Sequence, residues 1–450
     1  MVEAKVQPKK KADGFDSRIG FILACVGSAV GMGNLWRFPV LVSAWGGMTF
    51  LIPYFIFVII VARLGVTEEI ALGRSTGKGP IGAFGKATEH AGKGAKLGEN
   101  IGIIPCIGSL ALAIGYSCVV GWIFKYVYLA FTGQLFAMGT DMEQIGGMFG
   151  GTASAFGNNL WIVIALTVNF AIMALGVAGG IEKANKIMMP LLFIMLIGLA
   201  VYVGVQPGAS DGFRYIFTVN PAGLMDPKLW IFAFGQAFFS LSIAGNGTVI
   251  YGSYLGKHED VPASAINIGI FDTMAALLAA FLIIPAMATC GEELSAGGPG
   301  LMFIYLLNVM NRMPGGMIVG IVFYVCVMFA GLSSLVNLYE APVATLQQQF
   351  GMKRLTAVGT IAAVGIGVSI MIQGIVSEWM DAVSIYICPL GALLAGVMFF
   401  WVFGKKYALE AANEGAKKPL GDTWYIAGKY LLCGLALTAL VAGAILGGIG

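Results

Sequence analysis

GSAVGMGNLWRFP, residues 27–39, interrupts an apolar, helix-length segment with three glycines (Gly27, Gly31, Gly33), Asn34, Arg37 and Pro39. In lipid every backbone N–H and C=O needs a partner, so a helix broken in this way is tolerated only where it lines a cavity or is buried in protein. The stretch is therefore a candidate binding site. Arg37 strengthens the case, because a charge at that depth costs several kcal/mol unless it is paired or reaches water. A kinked helix with a snorkelling arginine is the plainer alternative.

The composition places this stretch in a membrane. Of the 450 residues 58% are hydrophobic and 11% charged, against about 45–50% and 25% in soluble domains. A formal charge of +3, dispersed along the chain, gives no reason to expect a nucleic-acid partner. The seven cysteines lie almost entirely in apolar segments without a CxxC pair, so neither a disulfide framework nor a metal site is expected. His90 and His258 stand apart from other ligand types and read as solvated loop residues. No catalytic set emerges, and the chain does not read as an enzyme.

Eleven stretches are long enough to span about 30 Å of hydrocarbon: 18–40, 47–73, 99–131, 158–178, 185–205, 227–256, 262–290, 317–348, 354–374, 380–404 and 424–447. With the N-terminus in the cytoplasm, 19 of the 26 basic residues fall in the inside segments, as the positive-inside rule requires. Asp141, Glu143, Glu292 and Glu293 then lie outside. The expected setting is a cell (inner) membrane, crossed many times in contact with the lipid bilayer. The first inside loop, 74–100, has room for a short interfacial helix.

A second interruption falls in the sixth span, where FGQAFFSLSIAGNGTVIYGSY (234–254) places Ser240, Ser242, Ala244, Gly245, Asn246 and Gly247 in mid-helix. Broken helices five spans apart are what an inverted five-plus-five repeat predicts, and they point to a transporter's site. The resulting division is a tail, 1–17; a first repeat, 18–205; a second, 227–404; and a loop with the eleventh helix, 405–450. In the eighth span FAGLSSL sets the Ala330 carbonyl one turn before Ser333 and Ser334, so these oxygens can crowd one spot. Hydroxyls bonded to their own helix explain the same spacing. Asp272, in mid-span, needs a cation or a dense hydrogen-bond shell. Glu68 and Glu69 read mainly as structural partners of Arg63, and Lys125 as a snorkelling side chain.

RIGFILACVGSAVGMGNLWRFP (18–39), TEEIALGR (67–74), GQAFFSLS (235–242), FDTMAALLAAFLIIP (271–285) and AGLSS (330–334) together resemble the neurotransmitter:sodium symporter family, over residues 18 to about 404. The resemblance implies an all-α membrane protein of two inverted five-helix repeats. It implies a first sodium held by Ala29, Asn34, Ser240 and Asp272, completed by the substrate's carboxylate. A second sodium would take the carbonyls of Gly27, Val30 and Ala330 with Ser333 and Ser334. Amides at Met32 and Gly33 and the Tyr116 hydroxyl would hold the carboxylate, and Ser242 with the broken-helix carbonyls the ammonium. Tyr116 and Phe239 would form a lid, with Arg37 and Asp381 an outer gate. Leu112, Ala113, Tyr116, Phe239, Ser242, Ala244, Gly245, Ser334 and Leu338 would line the side-chain pocket.

Three departures from the family pattern carry information. Gly31 stands where members that carry amines lacking a carboxylate have Asp, which points to an amino-acid substrate. Asp272 supplies a fixed charge where chloride-dependent members recruit an anion beside Tyr54, Gln236 and Ser240, and a carboxylate within about 4–6 Å of a cation does the same electrostatic work. Phe15 replaces the usual Trp, Ala12 the usual Arg, and Gln348 lies near the expected acid, so the usual inner gate is missing or rebuilt from Lys11 and other groups. Gly245, in place of a bulky aromatic, favours a large neutral or aromatic side chain. A more polar substrate or an amino-acid-binding receptor is the alternative; a channel is disfavoured by the two-repeat pattern.

Overall fold

The computed structural model describes residues 14–243, 246–291 and 300–449. Lys11, Ala12, Ala244, Gly245, Glu292 and Glu293 lie outside the described residues. Within them the architecture is helical. We number the principal helices α1 (Arg18–Ala29), α2 (Gly33–Ala44), α3 (Met48–Thr76), α4 (Pro80–His90), α5 (Ala95–Phe131), α6 (Asn159–Ala174), α7 (Val177–Gly204), α8 (Pro227–Ser240), α9 (Gly247–Ser253), α10 (Val261–Thr289), α11 (Gly316–Phe350), α12 (Arg354–Met371), α13 (Gln373–Val402), α14 (Gly404–Asn413) and α15 (Asp422–Leu446). Among the described residues eight of these are long and apolar enough to cross a bilayer, and the bent pair α1–α2 makes nine. The α6 helix and the halves α8 and α9 are shorter than that.

Both breaks have a local cause. Helix α1 begins at Ser17, whose hydroxyl accepts the Gly20 N–H at 3.1 Å, as an N-cap does. It ends where Val30 turns extended (φ −73°, ψ 99°), and α2 leaves at 57° to it. The second break begins after Ser240, with Ser242 and Asn246 at φ +56° and +51°. Left-handed backbone costs a non-glycine residue about 1–2 kcal/mol, so the surrounding contacts must hold it. Asn337 supplies one of them by donating to the Gly247 carbonyl at 3.4 Å.

The helices sort by burial. In α5 and α11 67% of the apolar window is buried, but only 28% in α12 and α15, so the first pair forms the centre and the second faces lipid. Helix α1 packs against α7, α10 and α11, and α9 against α3. The last contact is close because both partners present glycine: a Cβ on Gly73 would stand 1.9 Å from the Val249 carbonyl oxygen, and one on Gly252 2.5 Å from that of Ile70. Small residues allow such backbone approach in membranes.

One expectation holds here and two change. The 74–100 loop does contain a helix, α4. Glu68 and Glu69 do not pair with Arg63, which is exposed while both acids are buried; Glu69 instead accepts from the Thr248 hydroxyl, joining α3 to α9. Lys125 does not snorkel freely, since its ammonium donates to Thr152 at 2.8 Å.

Candidate functional site at the two helix breaks

The two breaks meet around Asp272. Its Oδ1 accepts from Asn34 Nδ2 at 2.8 Å and its Oδ2 from Ser240 Oγ at 2.7 Å. Asn34 Nδ2 also donates to Ser240 Oγ at 3.1 Å, while Asn34 Oδ1 accepts the Gly31 N–H at 3.1 Å. Asn34 and Asp272 are 0% exposed and Ser240 2%. One carboxylate thus ties α10 to the start of α2 and the end of α8. The donor set is oxygen-rich, anionic and dry, which suits a hard monovalent or divalent cation. Near it Gln236 Nε2 donates to the Gly33 carbonyl at 3.1 Å, and the Tyr54 hydroxyl and Gln236 Oε1 have no hydrogen-bond partner among the described residues.

A second cluster lies where α11 crosses the end of α1. Ser334 Oγ reaches the carbonyls of Gly27, Ser28 and Val30 at 3.2, 3.3 and 3.4 Å. Ser333 Oγ donates to the Ala330 carbonyl at 3.1 Å, which is the within-helix bond that its spacing also allowed. This cluster is neutral, built from carbonyl dipoles and two hydroxyls. It too offers only oxygen.

Between the clusters opens a small cavity. Ala29, Met32, Gly33, Leu112, Tyr116, Phe239, Ser240, Ser242, Ser334 and Leu338 line it, together with Ser28, Gly31, Asn34 and Asn337. Ala113, although expected in the pocket, is fully buried behind this wall. The Tyr116 hydroxyl accepts the Met32 N–H at 3.1 Å. A Cβ on Gly31 would lie 2.9 Å from both Tyr116 Oη and Ser334 Oγ, so no larger residue fits there without a shift. Ser242 Oγ donates to the Ser28 carbonyl at 2.8 Å.

Arg37 and Asp381 are not within ion-pair distance: the Arg37 guanidinium lies 5.8 Å from the centre of the Phe239 ring and Asp381 is exposed. A guanidinium beside an aromatic face is favourable without an acid. A separate aromatic and polar cluster forms around Phe15. Phe15 meets Phe21, Tyr251 and Tyr254 edge-on at 5.3, 5.5 and 6.4 Å. The Tyr254 hydroxyl donates to Glu340 Oε1 at 2.7 Å, and Arg354 binds both oxygens of Glu340 at 2.9 Å. Gln348 Oε1 accepts the Gly79 N–H at 3.0 Å.

Sequence reasoning missed the Glu340–Arg354 pair, Asn185 and Glu182. Glu340 and Arg354 sit fourteen positions apart across a helix end, beyond any periodic rule. Glu182 and Asn185 stand three apart near the start of an apolar helix, and polar residues on one face there were the available signal.

The profile of the sodium:neurotransmitter symporter family matches residues 12–145 and 147–443. A sodium-dependent transporter of Methanocaldococcus jannaschii is 31% identical, covering 95% of this chain and 89% of its own. A sodium-dependent transporter of Bacillus subtilis is 30% identical over 91% and 92%. The mouse sodium-dependent neutral amino acid transporter B(0)AT3 is 25% identical over 84% and 71%. Among solved structures, that of MhsT in complex with L-phenylalanine superposes with a TM-score of 0.82 at 30% identity, covering 96% of this chain and all of its own. The broken helices, the buried carboxylate between them and these matches lead to one conclusion: the chain belongs to the sodium:neurotransmitter symporter family.

Proposed function

We propose that the chain is a secondary active symporter that couples inward sodium flow to uptake of a neutral amino acid by alternating access. The observation that carries this reading is Asp272, buried where both helix breaks meet and hydrogen-bonded to Asn34 and Ser240, which line the cavity. In it α6 and the interrupted pair α8–α9 complete eleven crossings in two inverted repeats, with the N-terminus in the cytoplasm. The first sodium is bound by Ala29, Asn34, Ser240 and Asp272, and the second by Gly27, Val30, Ala330, Ser333 and Ser334. For the ion to enter, the hydroxyl protons of Ser240 and Ser334 turn away and the Asn34 amide presents its oxygen, so each cluster exchanges internal hydrogen bonds for the ion.

The substrate's carboxylate sits at Met32, Gly33 and Tyr116, and its ammonium at Ser242 and the carbonyls of the second break. Gly31 leaves room for that carboxylate, and Gly245 favours a bulky or aromatic side chain; MhsT's complex with L-phenylalanine supports the preference. With Phe15 packed inside and Arg37 apart from Asp381, the cavity faces outward. Substrate draws Phe239 over itself and Arg37 toward Asp381, and only then does the Phe15 side open. Sodium favours the outward-facing state and helps build the substrate site, and substrate closes it, each shifting the equilibrium by its differential affinity for the two states. Each sodium contributes about 2.3 kcal/mol per 100 mV and about 1.4 kcal/mol per tenfold gradient, so two ions suffice for steep accumulation.

The test is uptake of amino acids into proteoliposomes. Uptake should require an inward sodium gradient and continue when chloride is replaced by gluconate, because Asp272 already supplies the charge. Uptake without sodium sinks the symport reading; loss of uptake in gluconate sinks chloride independence alone.

A further inference from the structure

Arg63 is a cation in the apolar span of α3 that finds no acid. It is exposed, and its guanidinium makes no ion pair or hydrogen bond with the described residues. The acids that follow it on the helix are turned inward, with Glu68 1% and Glu69 0% exposed. An arginine in a membrane-spanning helix needs an anion or water, so the partner must come from outside the chain. The backbone beneath it is fixed: the Arg63 carbonyl accepts from Trp424 Nε1 at 2.8 Å, and the Trp424 ring, itself buried, packs 5.3 Å from that of Phe400. Trp424 stands in the first turn of α15, which places Arg63 level with that helix end.

Arg63 lines a groove between α3 and the chain that leads into α15. Ile59 and Ile60 share its wall, and Leu420, Thr423 and Leu431 are on the other. The groove is graded along the membrane normal. Thr423 belongs to the first turn of α15, and Leu431, eight residues on, lies about 12 Å deeper. Ile59 and Leu431 are 61% and 45% exposed, so the deep end is apolar and open to hydrocarbon, whereas the shallow end carries the guanidinium and the Thr423 hydroxyl. Lys417 and Lys418, both exposed, stand just before the groove's loop edge at Pro419. The acids of the 414–422 segment are already engaged: Asp422 with Lys405 at 2.6 Å and Glu414 with Lys257 at 3.5 Å.

We propose that this groove seats one anionic phospholipid from the leaflet on the 414–421 side, its phosphate at Arg63 and Thr423 and an acyl chain along Ile59 and Leu431. The chemistry of the groove selects that occupant. A guanidinium grips phosphate oxygens as a fork, the apolar trough below it runs in the direction of an acyl chain, and the lysines above favour a headgroup without an ammonium of its own. The lipid bridges α3 and α15 beside the Trp424 hydrogen bond. Nothing in this inference depends on the symport reading.

Native mass spectrometry of the full-length protein in detergent tests this, with phosphatidylglycerol and phosphatidylcholine of matched chains titrated separately and the first lipid-binding step read. The native protein should prefer phosphatidylglycerol by about fivefold or more, the effect of one basic residue at a membrane surface. Arg63→Gln should cut that ratio to less than about half, and Leu431→Ser should weaken both lipids while keeping the ratio. A smaller native preference, or a ratio that Arg63→Gln leaves above half, overturns the proposal. So does loss of the ratio in Lys417→Gln/Lys418→Gln with Arg63 intact, because the loop and not the groove then holds the headgroup. The lipid-free melting temperature of Arg63→Gln should match the native one, since its side chain touches no described partner. Should that variant fail to fold, Arg63→Lys and Thr423→Val decide: each should lower the ratio, and two unchanged ratios overturn the seat.

Discussion

The two oxygen clusters differ in kind. Asn34, Ser240 and Asp272 form a charged knot of side chains from three helices, closed by hydrogen bonds of 2.7–3.1 Å. The cluster at Gly27, Ser28, Val30, Ser333 and Ser334 is neutral and mostly backbone, with looser contacts of 3.1–3.4 Å. A buried charge is strongly sensitive to loss of one partner, whereas a ring of carbonyl dipoles loses only the oxygen removed. The contrast teaches that one cluster should respond mainly to charge and the other to geometry.

The largest effect expected is from Asp272→Asn. Losing a buried, hydrogen-bonded charge costs about 3–5 kcal/mol, so sodium-driven uptake should fall at least a hundredfold or reappear only when chloride is present. Unchanged uptake in gluconate would remove the charge side of the comparison. Ser334→Ala takes one oxygen from the neutral cluster and should raise the half-saturating sodium concentration about tenfold, about 1.4 kcal/mol, with no gain of chloride dependence. An effect as large as that of Asp272→Asn would show that the clusters do not differ in kind.

Gly27→Ala tests geometry without touching an oxygen. Its Cβ would meet Asn185 Oδ1 and Ser333 Cβ, and overpacking of this sort costs about 1–3 kcal/mol, so the sodium-dependent rise in melting temperature should shrink while the sodium-free melting temperature also drops. Tyr116→Phe should be mildest. It removes the hydroxyl that accepts the Met32 N–H, a loss of about 1 kcal/mol, read as an increase of about fivefold in the half-saturating amino-acid concentration with sodium affinity unchanged.

Much of the site was legible because its residues sit where a membrane helix should not carry them. Asn34 and the glycines around it, Asp272 in mid-span and Ser240 beside the second break all violate the apolar pattern. Ser333 and Ser334 were more ambiguous. Ser333 adopts the ordinary within-helix bond while Ser334 reaches across to α1, and sequence spacing treats the two alike. The pairing of Arg37 with Asp381 was read from resemblance; here the guanidinium takes the Phe239 ring instead. The cluster around Phe15 was not readable, because Phe15, Tyr251 with Tyr254, and Glu340 come from segments far apart in the sequence, and Arg354 from beyond a helix end.

By itself the sequence determined that the chain lies in a membrane, that two of its helices break, and which polar atoms are stranded there. The physical reason is local: hydrocarbon forbids unpaired polar groups, so each exception declares itself in the residue order. Only the tertiary structure decided which exceptions meet. That Asn34 and Ser240 both find Asp272, that Ser334 rather than Ser333 reaches the end of α1, and that Asn185 and Glu182 face the glycines of α1 depend on how helices distant in sequence pack, and packing is set by contacts that no single segment contains.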